Sequence, residues 1–393
     1  MSPLAPSVRA AVRPFAVMSI LNRVAELRAA GRDVISLCAG EPSAGAPSDV
    51  RRAMAELMSG GVPLGYTETF GIRPLRVAIA GHYRRWYGLE VDPDAVAVTT
   101  GSSGAFTLAF LAGFDAGQRV ALARPGYPAY RNILSALGCR VVELDCGPEQ
   151  RFQPTVALLE AAHAEEPLAG LVLASPANPT GTMVDAEQLA ALAGWCAEHG
   201  VRLVSDEIYH GITASGAVGD CAWSHDRDAL VISSFSKFWG MTGWRLGWCL
   251  VPADLRASFD ALAGNFALCA PVPAQHAALA AFTDRSYAEA ATGVAAFDDA
   301  RRVLLDAVPD LGWGAVAPAD GAFYVYAELG DALVSYPDSV AWCAALLESE
   351  GVALTPGTDF DTVRGGTTVR ISLAAGPEAV AAAVGRVHSF LRR

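Results

Sequence analysis

Between about residue 48 and residue 282, short apolar runs alternate with segments whose apolar positions recur at helical spacing. The runs predict strands at 95–99, 119–123, 140–144, 170–174, 201–205, 230–234 and 245–251. Several are apolar at every position rather than at every second one, as strands covered on both faces are. Amphipathic segments lie between them, such as 186–198, with Asp185 placed to cap its start. This alternation predicts an α/β domain, a mostly parallel seven-stranded sheet sandwiched by helices. Elsewhere the pattern changes. Residues 15–30 read as a helix, with Ile20, Val24 and Leu27 near one face and Gly31 as a stop. Residues 34–38 read as a short strand, and from about 284 onward longer helices enclose strands at 323–327 and 368–372. The expected division is a large α/β domain over 46–283. A smaller α+β domain is expected from 1–45 and 284–393.

Composition narrows the classes of function. Of 393 residues, 52% are hydrophobic and 18% charged, which excludes wholesale disorder. The longest apolar run, 105–114, is far short of the roughly 18 residues a membrane span needs. A net charge of −12 without a basic run argues against nucleic-acid binding. Eight cysteines without C-x-x-C or paired histidine spacing argue against a zinc site and a disulfide framework; no metal is expected. No secretory pattern is read at the start, and the expected setting is the cytoplasm, with reduced, buried thiols.

One count carries chemistry. The chain has 28 arginines and a single lysine, Lys237. A preference for arginine explains lost lysines but not one survivor. Arginine holds charge equally well but is not deprotonated in proteins, so it cannot act as an amine nucleophile. In open α/β sheets, ligands bind beyond the carboxyl ends of the strands. The residues just beyond each predicted strand are therefore informative. Gly101-Ser102-Ser103-Gly104 opens a helix after 95–99, a backbone suited to phosphate. Ser175-Pro176-Ala177-Asn178-Pro179-Thr180-Gly181 makes a rigid loop after 170–174. Asp206-Glu207-Ile208-Tyr209 comes after 201–205, where a carboxylate requires a cationic partner. Ser236-Lys237 comes after 230–234, and Arg245 stands eight residues further on. Singly, each has an ordinary structural use; an anion site, acid, amide, phenol, amine and guanidinium at one sheet edge do not.

In these residues the chain resembles the class I/II aminotransferases of pyridoxal-phosphate fold type I. The resemblance covers nearly the whole chain. It takes in Gly40-Glu41-Pro42, Tyr66, Gly71, Gly101 to Gly104, Pro125-Gly126-Tyr127-Pro128 and Asn178-Pro179-Thr180-Gly181. It continues through Asp206 to Tyr209, Ser234 to Lys237, Arg245, Gly321-Ala322-Phe323-Tyr324 and Arg370. It implies that Lys237 forms a Schiff base with pyridoxal 5′-phosphate and then shuttles the substrate proton. Asp206 would pair with the pyridine nitrogen, Asn178 and Tyr209 would bond the ring 3′-oxygen, and Tyr127 would stack on the ring. Ser102, Ser103, the Gly104 amide, Ser234 and Arg245 would hold the phosphate, completed by Tyr66 from a second subunit. That implies a homodimer with shared sites. Arg370 would bind the substrate carboxylate bidentately, with Asn178 and the Gly40 backbone beside it.

The reaction implied is amino transfer between an L-amino acid and a 2-oxo acid. The substrate is less constrained. Where the aspartate-specific bacterial branch carries a lysine that helps bind the distal carboxylate, this chain has Ser103. The segment expected to cover the side-chain pocket reads Phe15-Ala16-Val17-Met18. Both tilt the reading to neutral amino acids: alanine, branched-chain or aromatic. Aspartate or glutamate transfer and a carbon–sulfur β-lyase on the same fold stay open. A regulatory domain fused to a DNA-binding module is disfavoured, since the family pattern begins by about residue 15. A nicotinamide-dependent dehydrogenase is disfavoured because no G-x-G-x-x-G comes after the first strand.

Overall fold

The computed structural model describes residues 4–392. The termini assigned above to the smaller domain, residues 1–3 and 393, lie outside the described residues. Seven strands form the main sheet, in the order Val96–Thr99, Gly247–Leu250, Leu230–Ser234, Arg202–Asp206, Gly170–Ala174, Arg119–Arg124, Arg140–Asp145. All run parallel except Gly247–Leu250, which is antiparallel to both neighbours.

Continuous apolar runs are needed because the sheet is buried on both faces. Val96, Val98, Ala121, Leu171, Leu203 and Val231 point into one core with the helix Arg73–Tyr87 and the helix Ala186–His199. The alternate positions Ala97, Val120, Val172, Val204, Leu230 and Ile232 point into another, shared with the helix Gly101–Gly113. The period of two assigns neighbours to opposite cores, so neither face tolerates a polar stripe. The helix Ala186–His199 starts as expected, the Asp185 side chain accepting the Gln188 amide at 2.8 Å.

Several boundaries move. The strand expected at 201–205 runs Arg202–Asp206, so Asp206 ends the strand instead of lying beyond it. The strand expected at 245–251 starts only at Gly247, because Arg245 adopts φ 53°, outside the extended region. A Cβ on Gly247 would stand 2.9 Å from the Ser102 amide nitrogen, so glycine lets this strand approach the loop that opens the Gly101–Gly113 helix. Residues 34–38 shorten to Ile35–Ser36, paired in parallel with Val352–Ala353, a partner unseen in the sequence.

A second sheet is antiparallel, in the order Thr355–Pro356, Thr368–Ser372, Tyr324–Glu328. Its apolar side packs with the helices Asp284–Ala307, Ser339–Glu350 and Pro377–Leu391 through Val325, Ile371, Leu304, Trp342, Leu346, Val380 and Val387. Leu37, Ile208, Tyr209 and Ile212 join that core and tie it to the carboxyl edge of the main sheet. No helix among the described residues is long and apolar enough to cross a membrane.

Candidate active site

The carboxyl edge of the parallel strands borders a cavity of about 620 Å³. Gly247–Leu250 runs the other way, so Arg245, just before it, reaches the same edge as residues placed after parallel strands. Ser102, Ser103, Tyr127, Asn178, Asp206, Tyr209, Lys237 and Arg245 line the cavity from the main sheet's side. Gly40 and Arg370 line it from the second sheet's side. The helix Ala16–Ala29 adds Val17, Met18 and Leu21, preceded by Phe15.

Each charge meets only neutral hydrogen-bond partners. The Lys237 Nζ donates to the Gly40 carbonyl oxygen. The Arg245 guanidinium donates to the Thr242 carbonyl oxygen at 2.8 Å. Asp206 accepts from the Tyr130 hydroxyl and, at 3.1 Å, from the Ile208 amide. Arg370 donates to Asn178 Oδ1 at 3.0 Å and the Cys38 carbonyl oxygen at 2.7 Å, while its buried Nε has no partner. Rings of Tyr324 and Phe360 flank its guanidinium at 4.5 and 4.8 Å.

Burial shifts the amine, the carboxyls and the phenol. It lowers the Lys237 amine to about 8, helped by the Arg370 charge and opposed by Asp206. It raises the Asp206 carboxyl to about 6, against the Tyr130 and Ile208 hydrogen bonds that favour the anion. The Tyr209 phenol is pushed well up, first by burial and then by Tyr324, whose hydroxyl lies 3.0 Å away. Glu207 projects away from the cavity, its Oε1 accepting from the Ala222 amide and the Ser205 hydroxyl; burial raises it to about 8.

Three expected site residues stand outside this cavity. Gly104 is the first residue whose amide falls to the helix ladder, because Thr100 stands at the N-cap position of Gly101–Gly113, without a side-chain bond, and only the amides up to Ser103 lie ahead of the ladder. It faces a different pocket, with Thr107 and Phe266. Ser234 lies beneath the lysine loop, its hydroxyl donating to Ser236 Oγ at 2.7 Å and to the Leu246 carbonyl oxygen at 3.2 Å. Ser236 takes the cavity-lining position instead. Tyr66 is 82% exposed and outside the cavity of its own chain.

Sequence reasoning named Tyr324 only within a motif, without a role, and missed Tyr130 and Phe360. Tyr130 had a usable signal, standing three residues after Tyr127 in the first turn of Pro128–Leu137. Phe360 had none, since only the fold brings it over Arg370.

Residues 32–386 match the model of the aminotransferase class I and II family, and the chain belongs to that family. It is an aminotransferase, and its cofactor is pyridoxal phosphate. It is 53% identical over 386 residues to the valine–pyruvate aminotransferase of Mycobacterium tuberculosis, covering 98% of each chain. It is 34% identical to the aspartate/prephenate aminotransferase of Thermus thermophilus, covering 98% of this chain and 97% of that one. A crystal structure of an aminotransferase from M. tuberculosis superposes with a TM-score of 0.94 at 52% identity, covering 99% of each chain.

The residues present fit the cofactor. A Cβ on Gly101 would stand 2.5 Å from an Arg245 guanidinium nitrogen, so the bare glycine lets that cation lie against the free helix amides. Cation and amides together suit a phosphate dianion. The buried Asp206 suits a ring nitrogen that carries a proton, and Lys237 is the only lysine amine in the chain.

Proposed function

We propose that this aminotransferase acts on neutral aliphatic amino acids, valine foremost, with pyruvate as an acceptor. The carrying observation is the cavity wall. Its cations are Lys237, Arg245 and Arg370, and the remaining surface includes Phe15, Val17, Met18, Leu21, Phe106 and Ile208. With Arg245 at the phosphate and Arg370 at the α-carboxylate, a second substrate carboxylate meets apolar side chains and loses hydration without replacement. The similarity to a valine–pyruvate aminotransferase supports the same reading.

Ser102, Ser103, Ser236, Arg245 and the free helix amides would hold the phosphate. Tyr127 would cover the ring, Asp206 would pair with its nitrogen, and Asn178 and Tyr209 would bond its 3′-oxygen. Bound pyridoxal phosphate supplies a carbonyl carbon for the amine and a ring that takes up electrons when the α-carbon loses its proton. The Lys237 Nζ, lowered to about 8 so that a large share of it is neutral near that pH, accepts that proton and holds it beside the substrate carbon. Arg370 fixes the carboxylate by its fork, with Asn178 Oδ1 setting the orientation of the guanidinium.

The proposed assembly is a homodimer in the cytoplasm, with Tyr66 completing the partner's phosphate site. The exposure of Tyr66, and of Val62 and Met58 a few residues before it, supports the dimer, and eight free cysteines support the reducing setting. The proposed domain limits are 46–283 against the remainder.

The test is single-turnover amino transfer from individual amino acids to the bound cofactor. Valine and alanine reacting faster than aspartate and glutamate supports the assignment. Reaction with the acidic pair alone overturns it, and pyruvate release from cysteine without amino transfer moves the protein to the lyases. A monomeric mass at working concentration overturns the shared site.

A further inference from the structure

The helix Ala16–Ala29 carries three cavity-lining side chains yet has no local cap. Phe15 stands at its N-cap position without a side-chain hydrogen bond, and its first turn contains no acid. The missing cap comes from far along the chain. Asp359 Oδ1 accepts the Ala16 amide at 3.0 Å, and Oδ2 accepts the Val17 amide at 3.2 Å. A carboxylate across the first free amides of a helix holds that end by hydrogen bonds and by the helix dipole.

The loop supplying this carboxylate is tied to the rest of the site. Arg131 donates to the Asp359 carbonyl oxygen at 3.1 Å, and the Gly126 amide donates to the Phe360 carbonyl oxygen at 3.0 Å. The Phe360 ring lies against the Arg370 guanidinium. Phe15 stacks on Tyr127 with ring centroids 6.4 Å apart and planes 11° apart. One short loop thus joins the apolar wall, the turn carrying Tyr127 and the arginine for the substrate carboxylate. Asp359 itself does not line the cavity.

We propose that Asp359 is a positioning residue for substrate selectivity: it clamps the start of the first helix, so that Phe15, Val17 and Met18 form a preset wall for a branched side chain. This rests on the reading that neutral aliphatic amino acids are the substrates. Without the clamp the wall must be ordered at each binding event, and apparent affinity falls by the fraction of time it is in place. Valine suffers more than alanine because it buries more apolar surface against that wall.

The experiment uses the cofactor-loaded enzyme with Asp359→Ala and the near-isosteric Asp359→Asn. Hydrogen–deuterium exchange of a peptide spanning residues 15–21 reads the clamp directly. It should speed up in both variants, less in Asp359→Asn, which keeps one acceptor oxygen. In Asp359→Ala, kcat/KM for valine should fall about tenfold through KM, within the range that the loss of a helix cap costs. The value for alanine should fall about twofold, since its methyl buries little. Unchanged exchange overturns the clamp. Faster exchange with an unchanged valine-to-alanine ratio overturns the selectivity role. Wild-type enzyme inert toward both amino acids overturns the substrate assignment instead, a result read without either variant.

Discussion

The two edges of the main sheet hold the same kinds of side chain and do different things with them. At the amino edge, Arg119, Arg140 and Arg202 border a groove of about 1030 Å³, larger than the cavity at the carboxyl edge. Each has acidic or carbonyl oxygen within reach. Arg140 pairs with Glu166, and Arg202 meets Asp254 Oδ2 at 2.5 Å and the Asp228 carbonyl oxygen at 2.7 Å. Arg119 lies within 4 Å of Glu165 and Glu166 and donates to the Ala162 carbonyl oxygen. At the carboxyl edge, Lys237, Asp206, Arg245 and Arg370 are hydrogen-bonded to neutral groups only. Volume does not distinguish a site from a groove. Charge held at a site without a counter-ion in contact does, most of all where the fold buries it, as at Asp206 and Arg370, because a ligand must supply the missing half.

That contrast breaks first at Lys237. Replacing it with alanine should cut turnover by roughly 10⁴-fold and remove the covalent hold on the cofactor, read as lost visible absorbance. Retained turnover would end the aminotransferase mechanism. Asp206→Asn keeps the shape but not the charge, and should cost roughly 10²- to 10³-fold in kcat. A near-normal rate would show that the buried anion has no electrostatic task. Arg370→Lys replaces a fork with a point charge and should raise KM for the amino acid about tenfold, with kcat less affected.

A pH experiment sharpens the comparison without substrate. In cofactor-free protein, acetylation of Lys237, located by peptide mass spectrometry, should reach half its plateau rate near pH 8. Burial sets the sign: the neutral amine is favoured, so reactivity rises with pH through a value below that of an ordinary lysine. A midpoint above 10 would contradict it. The smallest effect belongs to the opposite edge. Arg202→Ala should leave kcat within about twofold and lower unfolding stability by about 1 kcal/mol or less in a urea titration, since its partner Asp254 is half exposed. A large loss of activity would make the amino edge a second functional site.

The chemistry-bearing residues were legible wherever they come directly after strands in order. An apolar run and the few residues after it are contiguous in sequence, and a parallel sheet aligns all such ends. Asn178 and Lys237 come just after parallel strands and Asp206 ends one, so the pattern alone puts them at one edge; Arg245 reaches that edge because it precedes the antiparallel strand. The lone lysine was legible from composition, because an amine nucleophile has no arginine substitute. The offsets from the cavity wall are local. Gly104 and Ser234 lie one or two residues from positions that line the cavity, and whether an amide or hydroxyl is free depends on where a helix ladder starts or which neighbour it bonds. Those are facts of three-dimensional geometry.

What the chain determined by itself was the order of strands and helices, the doubly covered sheet and the kinds of group at its carboxyl edge. Burial at a period of two and the covalent spacing of motif to strand are one-dimensional properties. Only the tertiary structure decided that Asp359 caps a helix some 340 residues earlier, that Phe360 lies on Arg370 and that Tyr130 reaches Asp206. It also decided which edge keeps its charges without counter-ions. Those contacts join segments remote in sequence, and their energies depend on burial and mutual orientation, which exist only once the chain has folded.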